Sequence, residues 1–130
     1  MISHVHLGTA DLDRAVQFYG AVLEPLGIVQ KFIDADRGWA GWKPADADRP
    51  LFVVGRPLDG AAPGVGNGQM VAFQAAERRI VDQCHRRALA AGATDEGAPG
   101  LRPEYHADFY GAYFRDPDGN KVCVCCHAPE

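Results

Sequence analysis

The hydrophobic pattern changes period several times along the chain, and each change marks an element. Ile2–Gly8 opens as a strand, with Ile2, Val5 and Leu7 set among His4 and His6. From Leu12 the spacing becomes helical: Leu12, Ala15, Val16, Tyr19, Val22, Leu23 and Leu26 form one apolar stripe. Asp11 suits the N-cap of that helix, and Pro25 and Gly27 end it. Short apolar runs then predict strands over Ile28–Ile33, Gly38–Lys43 and Leu51–Gly55, with a turn at Asp34-Ala35-Asp36.

Arg56–Gly68 is rich in Gly and Pro and reads as a linker. After it the pattern starts again. Gln69–Ala75 predicts a strand. Ala76–Ala91 predicts a helix that turns Ile80, Val81, Cys84 and Ala88 inward and stops at Gly92. Offsetting the chain by the His4-to-Met70 separation pairs Val5 with Val71, Leu7 with Phe73, Asp11 with Glu77 and Leu23 with Leu89. This is an internal duplication of a βαβββ unit, with module one at about 1–57 and module two at about 68–130 of a single domain. One such unit leaves a sheet face and a helix stripe uncovered, so the two are expected to pack together.

Gly97–Tyr110 predicts a loop leading into a hairpin over Phe109–Cys126. At the tip, Asp116-Pro117-Asp118-Gly119-Asn120 has turn chemistry. Pro117 presets φ at the first central position, and Gly119 tolerates positive φ.

Composition narrows the function classes. The chain has 130 residues, 47% of them hydrophobic, and a formal charge of −4. The acidic balance argues against non-specific nucleic-acid binding. No apolar run approaches membrane-spanning length, and no signal peptide is visible, so a cytoplasmic protein without membrane partners is expected. Cys84, Cys123, Cys125 and Cys126 show no zinc-finger spacing and read as buried, reduced thiols. Arg78, Arg79, Arg86 and Arg87 are expected on a solvated helix face.

Two segments carry a family likeness. His4–Tyr19, HVHLGTADLDRAVQFY, resembles the opening of glyoxalase-like proteins. The Asp116–Asn120 turn, followed by Lys121 and an apolar strand, resembles the closing hairpin of the vicinal oxygen chelate superfamily, the glyoxalase, bleomycin-resistance and extradiol-dioxygenase relatives. With the repeat, the resemblance spans nearly the whole chain. It implies an α+β fold in which two βαβββ repeats form a curved mixed sheet with an open cleft, often in a homodimer.

The resemblance also implies where a divalent metal would sit. Its ligands would come from the first and last strands of each module: His4, a residue near Phe52, Met70 where a His is common, and Cys123 where a Glu is common. Phe cannot ligate and Met is a poor ligand for zinc, iron, manganese or nickel. Only His4 and Cys123 would remain, so a cleft without the family metal or any other cofactor is expected. The candidate ligand-binding residues are His4, His6, Tyr105, His106, Tyr110 and Cys123. They suggest a protein that binds a small organic molecule. The alternative is a metal-dependent lyase, isomerase or dioxygenase-like enzyme.

Overall fold

The computed structural model describes all 130 residues. Module one runs β1 (His4–Gly8), α1 (Leu12–Leu23), a 3₁₀ turn (Glu24–Leu26), β2 (Ile28–Asp34), β3 (Trp39–Pro44) and β4 (Leu51–Gly55). Module two runs β5 (Val71–Gln74), α2 (Arg78–Ala90), β6 (Thr94–Leu101), β7 (Tyr110–Arg115) and β8 (Lys121–Cys126). Each module closes a four-stranded mixed sheet, ordered β1-β4-β3-β2 and β5-β8-β7-β6. In each, the first strand lies parallel to the last and the others pair antiparallel. The duplication read from the pattern is therefore a duplication of topology.

The caps form as the residues dictate. Asp11 accepts the backbone N–H of Arg14, and Gly27 ends the 3₁₀ turn at φ 70°. Glu77 occupies the equivalent cap of α2 without a side-chain bond.

One core spans both modules. Ala15, Phe18, Tyr19, Val22 and Leu23 of α1 pack with Val81, Cys84 and Ala88 of α2 and with alternate residues of both sheets. Phe18 meets Phe114 of β7 with ring centroids 6.0 Å apart, and Phe52 of β4 meets Phe73 of β5 at 5.0 Å. Burying each such side chain contributes about 1.5–3 kcal/mol. Modules one and two thus share their apolar faces within one chain.

Four expectations change. Gly97–Leu101 is the second half of β6, not loop; the loop is confined to residues 102–109. Its Gly, Ala and Pro residues are weak strand formers, but β7 supplies a partner, and β6 is an edge strand that absorbs two register shifts. Phe18, absent from the predicted stripe, is fully buried because α1 is covered on two sides, by its own sheet and by module two. Leu23 and Leu89 do not match: Leu23 is buried, while Leu89 is exposed and Ala88 takes the inward place. Arg78 is not solvated. Its guanidinium lies over the Tyr110 ring at 5.4 Å and pairs with Glu130 at 3.4 Å.

Candidate functional site

Strand alternation divides each sheet into a helix-covered face and a helix-free face. Val5 and Leu7 pack into the core, so His4 and His6 leave β1 on the helix-free side. Val122, Val124 and Cys126 belong to the core, so Lys121, Cys123 and Cys125 leave β8 on the corresponding side. Chemistry-bearing residues therefore gather on the faces that the helices leave open.

On module one, His4 Nδ1 lies 3.0 Å from the Ser3 hydroxyl. His6 packs edge-on against Trp39 at 5.2 Å, and Trp39 donates its indole N–H to the Arg56 carbonyl. Partial burial, and then the neighbouring His4, hold the His6 imidazole below its usual pKa. His6 thus favours its neutral form.

On module two the helix-free face is more crowded. Tyr113 of β7 stands opposite Cys123 in the β7–β8 register, and the Arg102 guanidinium and Lys121 ammonium lie over the Tyr113 ring at 5.5 and 5.8 Å. Desolvation pushes the Tyr113 hydroxyl up to about 12. Cys123 and Cys125 are neighbours on this face of β8. The Cys123 thiol is raised, first by its interaction with Cys125 and then by burial. Cys125 is lowered to about 6, first by its interaction with Cys123 and further by His127. An imidazole, His127, stands beside Cys125 at 3.7 Å and favours its thiolate.

The six candidate residues divide. His4 and His6 share the helix-free face of β1, and Cys123 shares that of β8. His106, in the loop before β7, sits with its Nε2 2.9 Å from His127 Nδ1. Tyr105 packs on Phe109 at 5.0 Å and is otherwise exposed. Tyr110 is separated from these. Its hydroxyl donates to Asp82 of α2 at 2.6 Å, so the side chain lies on the helix-covered face. It starts the strand in phase with the core residues Ala112 and Phe114, and alternation carries it inward. Tyr113, Arg102, Lys121, Cys125 and His127 complete the cluster on module two. Period-two spacing from Cys123 was the signal for Lys121, Cys125 and His127.

A cavity of about 330 Å³ lies at the seam between the modules, lined by His6, Val65, Gln69, Met70, Asn120 and Lys121 among others. It brings residues of β1, β8 and the linker together. Of the six candidate residues only His6 lines it; His4, Cys123, Tyr105, His106 and Tyr110 do not.

The metal positions can be tested against this geometry. Phe52 faces the core, packed on Tyr19 and Phe73, so the β4 position implied near it belongs to a neighbour on the helix-free side, Leu51 or Val53. The set becomes His4, Leu51 or Val53, Met70 and Cys123. It offers one imidazole, one thioether and one thiol whose ionisation is opposed by its surroundings. No three His, Cys, Asp or Glu side chains of the chain converge as a metal site. These residues do not fit a divalent ion that needs three or four imidazole and carboxylate donors.

The hairpin that ties the modules together lies beside the seam. Asp116 accepts the backbone N–H groups of Asp118 and Asn120, both at 2.9 Å. Gly119 takes φ 93° to close the turn. Asn120 then donates its amide to the Gly8 carbonyl at 2.9 Å, and Asp118 accepts from Thr9 Oγ1 at 2.6 Å and from Arg14 at 2.9 Å. The turn of module two is thereby bolted to the β1–α1 junction of module one.

Two βαβββ modules sharing one core, with chemistry displayed on the helix-free faces, define the paired-module class of the vicinal oxygen chelate fold. A family model described as the Glyoxalase/Bleomycin resistance protein/Dioxygenase superfamily matches residues 1–124, and the chain belongs to that superfamily. A glyoxalase/bleomycin resistance protein from Albidiferax ferrireducens T118 is 32% identical, with 98% of this chain and 99% of that one covered and a TM-score of 0.87. TioX from Micromonospora sp. ML1 shares the fold at 20% identity, with 98% and 99% covered and a TM-score of 0.68. So does a glyoxalase-related enzyme from Fulvimarina pelagi, at 18% identity, 97% and 87% coverage and a TM-score of 0.75. No curated protein matches the sequence. No helix is long and apolar enough to cross a membrane.

Proposed function

We propose that this protein binds a small organic molecule at the seam between its modules, in a cleft that works without the family's divalent metal. The observation that carries the reading is the donor set: His4, Met70 and Cys123 stand where a metal site would need His and Glu. What remains is an open cavity with apolar walls from Val5, Val65, Met70 and Val71 and a few polar groups, His6, Gln69, Asn120 and Lys121. Apolar walls with sparse, oriented polar groups are what a small-molecule site requires. The Lys121 ammonium and the neutral-leaning His6 suit a ligand with an acidic or carbonyl group at one end.

Of the residues expected from the sequence, His6 is the contact at this cavity, joined by Lys121, Gln69 and Asn120. A metal-dependent lyase or dioxygenase reading would need donors that these positions lack.

Thermal-shift screening of small carboxylates, dicarbonyls and aromatic acids tests the proposal. A binder should stabilise the wild type, and the shift should shrink in His6→Ala and Lys121→Ala. A shift that persists undiminished in both variants would place the ligand elsewhere.

A further inference from the structure

A second cavity, of about 290 Å³, opens where the end of β3 and the start of β4 meet β5. It shares Val5, Met70 and Val71 with the seam cavity, but its chemistry differs. His6, Gln69, Asn120 and Lys121 line the seam cavity alone. Here Lys43 is the one charged group, and the other lining side chains are apolar or aromatic.

The floor is aromatic. Trp42 and Phe52 have ring centroids 6.0 Å apart, and Phe52 and Phe73 are 5.0 Å apart. Trp42 and Phe52 are buried, whereas Ile2 and Met70 are exposed and form an outer rim. A Met side chain there can adjust to the shape of what enters. The volume lies at the lower end of the range for small-molecule sites, about 300–1,000 Å³, so it suits a compact ligand.

The polar groups of this cavity only donate. Lys43 follows Trp42 on β3 and leaves the strand on the other face, so its ammonium belongs to the rim rather than the floor. Lys43 Nζ lies 3.3 Å from the carbonyls of Pro44 and Ala47. None of the chain's ion pairs includes Lys43. The cation is therefore held in place by its own turn and not neutralised. The other polar atom is the Trp42 indole nitrogen. Trp39 donates its indole N–H to the Arg56 carbonyl, but no protein group accepts that of Trp42. An ammonium and an indole N–H have no acceptor capacity, so the polar end of a ligand here must accept.

We infer that this second cavity binds a monocarboxylic acid with a compact apolar body, a single ring or a short chain. The body covers the aromatic floor, and the ionised carboxylate meets the Lys43 ammonium. Burying the body removes apolar surface from water, and the charge match selects the acid over its alcohol. The inference does not rest on the proposed seam function.

Phenylacetate is the probe, added to the isotope-labelled full chain. Two indole N–H signals are expected, from Trp39 and Trp42, and Trp39→Phe assigns them. The Trp42 signal should move and saturate while that of Trp39 stays. By calorimetry, Lys43→Gln should weaken binding about tenfold, the loss of one charge-assisted hydrogen bond, and Lys43→Arg should recover most of it. Phenethyl alcohol, the same body without the charge, should bind weakly and equally to wild type and Lys43→Gln. Ala72→Leu, which adds bulk to the β5 wall, should also weaken phenylacetate binding. A Trp42 signal that does not move, or an affinity unchanged in Lys43→Gln, would overturn the inference; a second copy of the chain covering the cavity would give the first of these results. Phenylacetate binding that is lost in His6→Ala and Lys121→Ala but kept in Lys43→Gln would put the acid at the seam, sinking this inference and leaving the proposed function standing.

Discussion

Tyr19, on the first helix, donates its hydroxyl proton to Asp116 of the last hairpin at 2.6 Å, across 97 positions of sequence. The bond is buried, and the same carboxylate also takes the Asn120 side-chain amide at 2.9 Å. One side chain of module one thus completes the turn of module two from inside the shared core. Burial, and then the Asp116 charge, hold the Tyr19 hydroxyl well above its usual pKa, so it stays a donor throughout the accessible pH range.

Removing that donor should cost stability without a large change in shape. A hydrogen bond to a charged acceptor is worth about 1.5–3 kcal/mol. Tyr19→Phe should therefore shift the urea midpoint down by that equivalent and leave the m-value unchanged. Equilibrium unfolding followed by circular dichroism checks it. A loss below about 0.5 kcal/mol would mean that water replaces the phenol, contrary to its burial.

The metal content of the purified protein follows from the donor set. Elemental analysis should find zinc, iron, manganese and nickel all well below stoichiometric, and incubation with a chelator should leave the melting temperature unchanged. A stoichiometric ion that is lost in His4→Ala would refute the metal-free cleft.

Assembly is a separate expectation. Both sheets keep open edges, and Val29 and Ile33 on β2 and Leu101 on β6 are exposed. Edge strands with outward apolar side chains invite pairing, and two-fold pairing is the commonest closed arrangement. We expect a homodimer, and light scattering at micromolar concentration should return twice the 14.0 kDa chain mass. Ile33→Lys should shift the mass towards the monomer. A monomeric wild type across that range would end the idea.

Thiol ionisation gives a pH dependence whose sign can be worked out. The folded Cys125 value of about 6 lies below that of an unfolded cysteine, about 8.5. A group depressed in this way contributes stability that is complete above the unfolded value and lost as pH falls through the folded one. Stability should therefore rise from pH 6 towards pH 8, and Cys125→Ser should flatten that rise. Absorbance at about 240 nm, a thiolate signal, should titrate in the folded protein with a midpoint near 6 and vanish from that range in Cys125→Ser. A midpoint at the ordinary cysteine value would show that Cys123 and His127 do not hold the thiolate.

Local chemistry was legible before any coordinates. The α1 stripe, the Asp11 cap, the Gly27 stop, the positive φ of Gly119 and strand β4 each depend on a few neighbouring residues. The repeat was legible too, because each module must bury the same pair of faces. Period-two alternation correctly put His4 with His6 and Cys123 with Cys125. Three features required the tertiary structure. The strand Gly97–Leu101 exists because β7 offers a pairing edge, which outweighs the low strand propensity of its own residues. Phe18 and Arg78 are covered because the second module, the Tyr110 ring and the chain end come to them. His106 reaches His127, 2.9 Å between ring nitrogens, only because the loop folds back on the end of β8. Sequence determines which faces and turns are possible through short-range sterics and hydrophobic period. The meeting of distant groups, Tyr19 with Asp116 or His106 with His127, is decided only when the modules pack, because no local pattern encodes a contact between residues so far apart.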